Sequence, residues 1–184
     1  MIDSGMIECV RLLTENDLLF AESWRLYESA FPVTERRSPR WHTAAMSTAP
    51  DFYCYALHND EGFAGILFYW LFSDCVYVEH LAIAEGKRGQ GYGAAALRIA
   101  QQHRLPVILE IEPVQDEDTA RRLRFYENAG YRCLPFEHYQ LPYHLGESAL
   151  RLILLSYPEP ANAQLIESFE QDFHTRPMLY RDAQ

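Results

Sequence analysis

The residues best placed to do chemistry lie in one short run, Glu85-Gly86-Lys87-Arg88-Gly89-Gln90-Gly91-Tyr92-Gly93-Ala94. A strand-like stretch, Val78-Glu79-His80-Leu81-Ala82-Ile83, leads into it, and the helix formers Ala94-Ala95-Ala96-Leu97-Arg98-Ile99-Ala100 follow it. A strand, a glycine-rich loop and a helix in that order make an anion site. The first N–H groups of the helix have no partner within it, and they lie at the positive end of its dipole. Glycines let the main chain approach the anion closely and adopt positive φ. Lys87 and Arg88 add cationic charge at the mouth.

Other candidate groups flank this loop. Glu79 lies on the strand before it, and by strand alternation it shares a face with Leu81 and Ile83, with His80 on the opposite face. Glu110 and Glu112 share a face on the next apolar strand, Val107 to Ile111 and its end. Any of the three carboxylates could take a proton from an ammonium group, or could simply be a solvated or paired side chain. Tyr126 carries a phenol that can donate a proton, and it could equally be a packed aromatic. The seven histidines show no metal-ligand spacing.

Gly91-Tyr92-Gly93-Ala94-Ala95-Ala96 also satisfies G-x-G-x-x-A, and Glu110 lies near the end of the next strand, as in a dinucleotide-binding fingerprint. The context argues against that reading. A charged Glu85-Gly86-Lys87-Arg88 segment separates strand from glycines, and the preceding strands form an antiparallel meander.

Arg88-Gly89-Gln90-Gly91-Tyr92-Gly93 resembles instead the [Q/R]-x-x-G-x-[G/A] pyrophosphate loop of the GNAT superfamily of acyl-CoA-dependent N-acyltransferases. Downstream, Arg124-Phe125-Tyr126-Glu127-Asn128-Ala129-Gly130-Tyr131 resembles that family's F-Y-x-x-x-G-[F/Y] helix end, and the resemblance runs from Val76 to Tyr131. It implies acetyl-CoA as co-substrate, with Arg88, Gly89, Gln90, Gly91, Tyr92 and Gly93 holding the pyrophosphate, largely through main-chain amides. It implies that the main chain of Leu81, Ala82 and Ile83 pairs with the pantetheine arm, and that Tyr126 contacts the cofactor and protonates the departing thiolate. Glu79 is then the first candidate for the base, with Glu110 after it and Glu112 last. Phe31-Pro32 to Arg40-Trp41 falls where the family binds acceptors, although it could equally be a hinge between helices.

The expected activity is transfer of acetyl from acetyl-CoA to a primary amine, small molecule or peptide, within a ternary complex. The alternative is a catalytically silent acyl-CoA-binding or regulatory domain. No covalent cysteine intermediate is expected, since no cysteine falls in the motifs.

The elements that must position these groups read as a mixed α+β domain. The expected order is β-α-α-β-β-β-α-β-α-β-β with a helix near the end. A mostly antiparallel central sheet is flanked by helices, with one βαβ crossover in the middle. Strands are expected at Met6–Leu13, Asp51–Leu57, Phe63–Phe72, Cys75–Ile83, Val107–Ile111, Tyr131–Gln140 and Ala149–Ser156. Helices are expected from the Thr14-Glu15-Asn16-Asp17 cap to Ala30, from Ser38, from the glycine loop, at Asp116–Ala129 and at Asn162–Phe173. The acetyltransferase domain is placed at 1–157. A tail at 158–184 packs on it or on a second subunit, which makes a homodimer a possible assembly.

The 184 residues suffice for one sizeable core. A formal net charge of -10 gives no basic face for nucleic acid and suits a cationic substrate. The longest apolar stretch is too short to span a membrane, and the first ten residues lack a signal-peptide pattern. Cys9, Cys54, Cys75 and Cys133 are widely spaced among apolar residues and read as buried free thiols, so a cytoplasmic protein is expected.

Overall fold

A computed structural model of the chain describes residues 7–158 and 162–182. Met6, the expected start of the first strand, and parts of the first segment and of the tail lie outside the described residues.

Eight strands form one mixed sheet: β1 (Glu8–Arg11), β2 (Phe52–Asn59), β3 (Gly62–Leu71), β4 (Val76–Ile83), β5 (Val107–Ile111), β6 (Arg132–Cys133), β7 (His138–Gln140) and β8 (Leu150–Tyr157). Their order is β1-β2-β3-β4-β5-β8-β6, with β7 also on β8. Every pairing is antiparallel except β4 with β5. That parallel pair is joined by helix α3 (Tyr92–Gln101), which is the expected crossover. The expected single strand over Tyr131–Gln140 is instead two short ones, β6 and β7, separated by a stretch containing Pro135. Proline cannot donate to the ladder, so the pairing breaks there.

Helices cover both faces of the sheet. Helices α1 (Phe20–Ala30), α2 (Pro39–Thr48) and α5 (Ala163–Thr175) pack on one, burying Tyr27, Ala45, Met46, Phe169 and Phe173 against Phe52, Phe68, Trp70 and Tyr77. α3 and α4 (Glu117–Asn128) pack on the other, where Ala96, Leu97 and Tyr126 meet Tyr69, Val78 and Leu109. The segment from α5 onward therefore completes the core of its own domain.

Local chemistry sets the helix limits. Residues 14–17 do not start α1. The Asp17 carboxylate instead accepts the main-chain N–H groups of Leu13 and Thr14, closing a turn, and the helix begins only after Leu19 at φ 71°. Helix α4 is capped by its own side chains. Asp116 accepts the Thr119 N–H at 2.8 Å, and the Thr119 hydroxyl accepts the Asp116 N–H at 3.0 Å. The Asn162 side chain caps α5 with one bond, accepting the Leu165 N–H at 2.9 Å. Two cysteine expectations need correcting: Cys54 and Cys75 are buried, but Cys9 and Cys133 are exposed, because both lie on the edge strands β1 and β6.

Candidate active site

Strands β4 and β5 part company at the centre of the sheet. They pair at Val76↔Val107, Tyr77↔Ile108 and Val78↔Leu109 and no further. Beyond that point β4 keeps its other neighbour, β3, as far as Gly65↔Ile83, while β5 keeps β8 through Ile111↔Ile153. The edge of β4 from Glu79 to Ile83 thus faces an opening rather than a strand. A cleft of about 770 Å³ occupies it, lined by Leu81, Ala82, Ile83, the loop Arg88–Gly93, Glu110, Glu112 and Tyr126. Main-chain groups on such an edge must find other partners, and an extended ligand can supply them.

At one end of the cleft lies the N-terminus of α3. Its N-cap is Gly91, at φ 83°, so no side chain closes the helix. The first intrahelical bond runs from Ala95 N–H to Gly91 O. Among the described residues, the N–H groups of Gly89 through Ala94 make no main-chain hydrogen bond. α4 and α5 cap themselves, whereas α3 offers its free amides to an anion. Gly89 and Gly91 adopt positive φ, which L residues rarely do. Gly93 is small for another reason: a Cβ there would lie 2.9 Å from Phe125 Cζ of α4. The Arg88 guanidinium is tethered to Ile83 O at 3.2 Å. Tyr92 points inward, and its hydroxyl accepts the Asn59 Nδ2 donor at 2.7 Å, so its side chain braces the loop. These features fit a pyrophosphate followed by an extended arm along β4.

Across the cleft, Tyr126 is nearly buried. Burial pushes its phenol up to about 12, with the Arg122 charge opposing. Its hydroxyl has no hydrogen-bond partner among the described residues, although it lines the cleft. A phenol in that state stays protonated at neutral pH and is free to donate.

Glu79 is not where strand alternation puts it. The β3–β4 register slips between Phe68 and Tyr69, so that Phe68 faces His80 and Tyr69 faces Val78, leaving Glu79 as the extra residue of a bulge. The bulge turns the Glu79 and His80 side chains to the same face. Far from sharing a face with Leu81 and Ile83, the Glu79 side chain is sealed in the first core with no exposure. Both of its oxygens are taken by Arg37, at 2.6 and 2.7 Å, and Trp70 Nε1 and the Tyr143 hydroxyl also donate to it, at 3.0 and 2.7 Å. Burial alone would raise this carboxyl, but Arg37, with help from His80 and Tyr143, holds it down at about 2. A carboxylate so bound is a poor base. Only the main chain of Glu79 borders the cleft. The Arg37 guanidinium also donates to the carbonyls of Pro177 and Tyr180, each at 3.1 Å, tying the segment before α2 to β4 and to the chain after α5. The His80 Nε2–H donates to Glu35 O, 2.8 Å away, and burial lowers the imidazole to about 4, so it stays neutral in the core.

The other expected carboxylates do reach the cleft. Glu110 accepts from the Tyr77 hydroxyl at 2.5 Å and Gln140 Nε2 at 3.2 Å, and also meets His138. Glu112 is paired with Arg122 at 2.7 Å. Sequence reasoning passed over Glu35, in a 3-10 turn (Val33–Glu35) between α1 and α2. It lines the same cleft, and burial raises its carboxyl to about 6, with the charges of Glu112 and Glu110 adding to the effect. The available signal was its place inside the Phe31–Trp41 acceptor segment. The histidine beside Glu110 had no signal at all.

The model of the acetyltransferase (GNAT) family matches residues 17–131. The chain belongs to this family. YjbC of Bacillus subtilis (strain 168), provisionally named an acetyltransferase, is 34% identical over 104 residues, covering 55% of this chain and 52% of that one. The chain thus spans about half the length of the curated relative it matches. A Bacteroides thetaiotaomicron protein, provisionally assigned to the GNAT family, superposes with a TM-score of 0.84 at 25% identity, over 94% of this chain and 98% of the other. Arabidopsis thaliana NAA60 in complex with acetyl-CoA shares the fold, with a TM-score of 0.59 at 15% identity over 82% of this GNAT chain and 97% of that one. Among the described residues no helix is long and apolar enough to cross a membrane, and no group of three or more His, Cys, Asp or Glu could hold a metal ion.

Proposed function

We propose that this GNAT protein transfers acetyl from acetyl-CoA directly to a primary amine, the two substrates meeting where β4 and β5 separate. One observation carries the reading: the unpaired edge of β4 runs from the uncapped N-terminus of α3 into a cleft end lined by Glu35, Glu110 and Glu112. Anion chemistry and cation chemistry thus sit at opposite ends of one channel.

In this reading acetyl-CoA supplies the activated acyl group, and this chain's residues supply the rest. The amides of residues 89–94 and the Arg88 side chain hold the pyrophosphate. The main-chain groups of Leu81 and the Ile83 N–H, which point away from β3 while those of Ala82 bond to it, align the arm, and an N–H on that edge can polarise the acyl carbonyl. Acylating an ammonium group releases one proton overall and moves another to sulfur. Glu35 takes the first, directly or through water, since burial in the cleft wall raises its carboxyl to about 6. Tyr126 donates the second to the departing thiolate. Glu110 holds the ammonium in line, and Glu79 acts only through the strand it anchors. A cysteine nucleophile plays no part: no cysteine lines the cleft, and burial raises the Cys75 thiol to about 12.

Calorimetric titration with acetyl-CoA tests this, with Gly91→Asp beside the wild type. The Gly91 site has open space for a side chain but its φ of 83° strains an L residue, so Gly91→Asn, strained alike and uncharged, is the control that isolates the charge. Micromolar binding by the wild type is expected, weakened about a thousandfold in the variant, since placing like charges together costs several kcal/mol. A folded wild type that does not bind would remove the reading. Binding without turnover across a wide amine panel would leave an acyl-CoA-binding module.

A further inference from the structure

Glu110 is the inner end of a chain of titratable groups that runs out of the cleft. Its Oε1 meets His138 Nε2 of β7, and the other ring nitrogen, Nδ1, lies 2.6 Å from Glu170 Oε1 on α5. The His138 side chain is fully buried, between the rings of Phe169 and Phe173, while Glu170 is a third exposed. Glu170 Oε2 in turn lies 3.7 Å from the exposed His174. A neutral imidazole has one N–H and one lone pair, so it could satisfy only one of two flanking carboxylates and would repel the other. Only the imidazolium donates to both.

We propose that His138 is a positioning residue that keeps Glu110 ionised and aimed at the acceptor end of the cleft, and that Glu170 on α5 keeps His138 charged. The inference rests on the reading of that end as an amine site. Glu110 alone would be a carboxylate at 5% exposure beside Tyr77 and Gln140, two neutral donors, with no counter-charge in contact. The imidazolium supplies that counter-charge. The cluster as a whole then carries one net negative charge, from two carboxylates and one imidazolium, facing the incoming cation.

The groups facing His138 are Glu110 from β5, Glu170 and through it His174 from α5, Gln140 from its own strand, and Tyr77 of β4 across Glu110. Burial pulls the imidazole down, but the hydrogen bonds and charges of Glu110 and Glu170 raise it to about 9. The sign follows: the clamp is intact below that range and fails as pH rises through it.

Glu170→Gln is the informative variant, because Glu170 is partly exposed and its loss removes the outer charge without opening the core. Two readouts suffice. Imidazole nitrogen NMR follows the His138 titration, and steady-state rates with spermidine and with a lysine-containing tripeptide give the amine and acetyl-CoA KM values from pH 6 to 10. In the wild type His138 should titrate well above 7. In the variant its midpoint should fall by about one to two units, as expected for losing an opposite charge within hydrogen-bond reach. The alkaline rise in amine KM should move down by the same amount, with the acetyl-CoA KM unchanged. Glu170→Asp should restore most of the shift. A wild-type His138 titrating at or below about 6.5, the ordinary histidine value, would overturn the proposal. So would a variant that leaves the titration unmoved, or that weakens both substrates equally. If neither amine is acetylated by the wild type, the NMR titration alone decides the clamp, and the wider amine panel decides the functional reading.

Discussion

The two ends of the cleft are built in opposite ways. The end at α3 is made of main-chain atoms from one contiguous stretch, with glycines at 89, 91 and 93 keeping side chains out. The other end is made of side chains brought from the turn before α2, from β5 and from β7, and braced by α5. The family model covers residues 17–131, so it includes all of the first end and stops before the His138, Gln140 and Glu170 of the second. A binding site for a constant ligand can be written in backbone and local spacing. A wall built of side chains from distant segments has no such local signature.

That contrast can be broken most severely at Arg37. Arg37→Met leaves the Glu79 carboxylate buried with no counter-ion, and removing one partner of a buried pair costs about 3–5 kcal/mol. Urea unfolding should show that loss, and Tm should fall by roughly 6–20 °C. A loss below about 1 kcal/mol would show that the pair is not a structural anchor. Next in size, Tyr126→Phe should lower kcat by about a hundredfold or more while leaving acetyl-CoA binding and Tm unchanged, since its hydroxyl has no partner to lose. An unchanged kcat would remove Tyr126 as the acid.

Glu35 sharpens the comparison through pH. A base must be unprotonated, so kcat/KM should fall about tenfold per unit as pH drops below about 6. Glu35→Gln should flatten that limb and reduce the plateau by about tenfold to a hundredfold. A limb that survives the substitution would assign the base elsewhere. The smallest effect is expected at Lys87, which is paired with exposed Glu61 at the mouth. Lys87→Ala should weaken acetyl-CoA binding only a few-fold, and less at high salt.

The comparison also explains what could be read in advance. The glycine loop, the Tyr126 helix, the Val107–Ile111 strand and the crossover all depend on short-range patterns, and each lies where the sequence places it. Glu79 was misread because alternation assumes an unbroken ladder, and one extra residue in β4 reverses it. Nothing local announces that bulge. Arg37 finds Glu79 across 42 residues and His138 finds Glu170 across 32, so no motif joins them. Pro135 did signal the division of the expected Tyr131–Gln140 strand, and it was overlooked.

The Arg37 anchor also has a timetable. Its carbonyl partners at Pro177 and Tyr180 lie 140 and 143 residues later in the chain. At ribosomal rates of roughly 5–20 residues per second, on the order of ten seconds separates the arrival of the guanidinium from that of the groups that complete its shell. Glu79 follows Arg37 by only 42 residues, so the ion pair and the β3–β4 pairing can precede the carbonyls that complete the shell. The glycine-loop end of the cleft can therefore form before the end walled by side chains from distant segments.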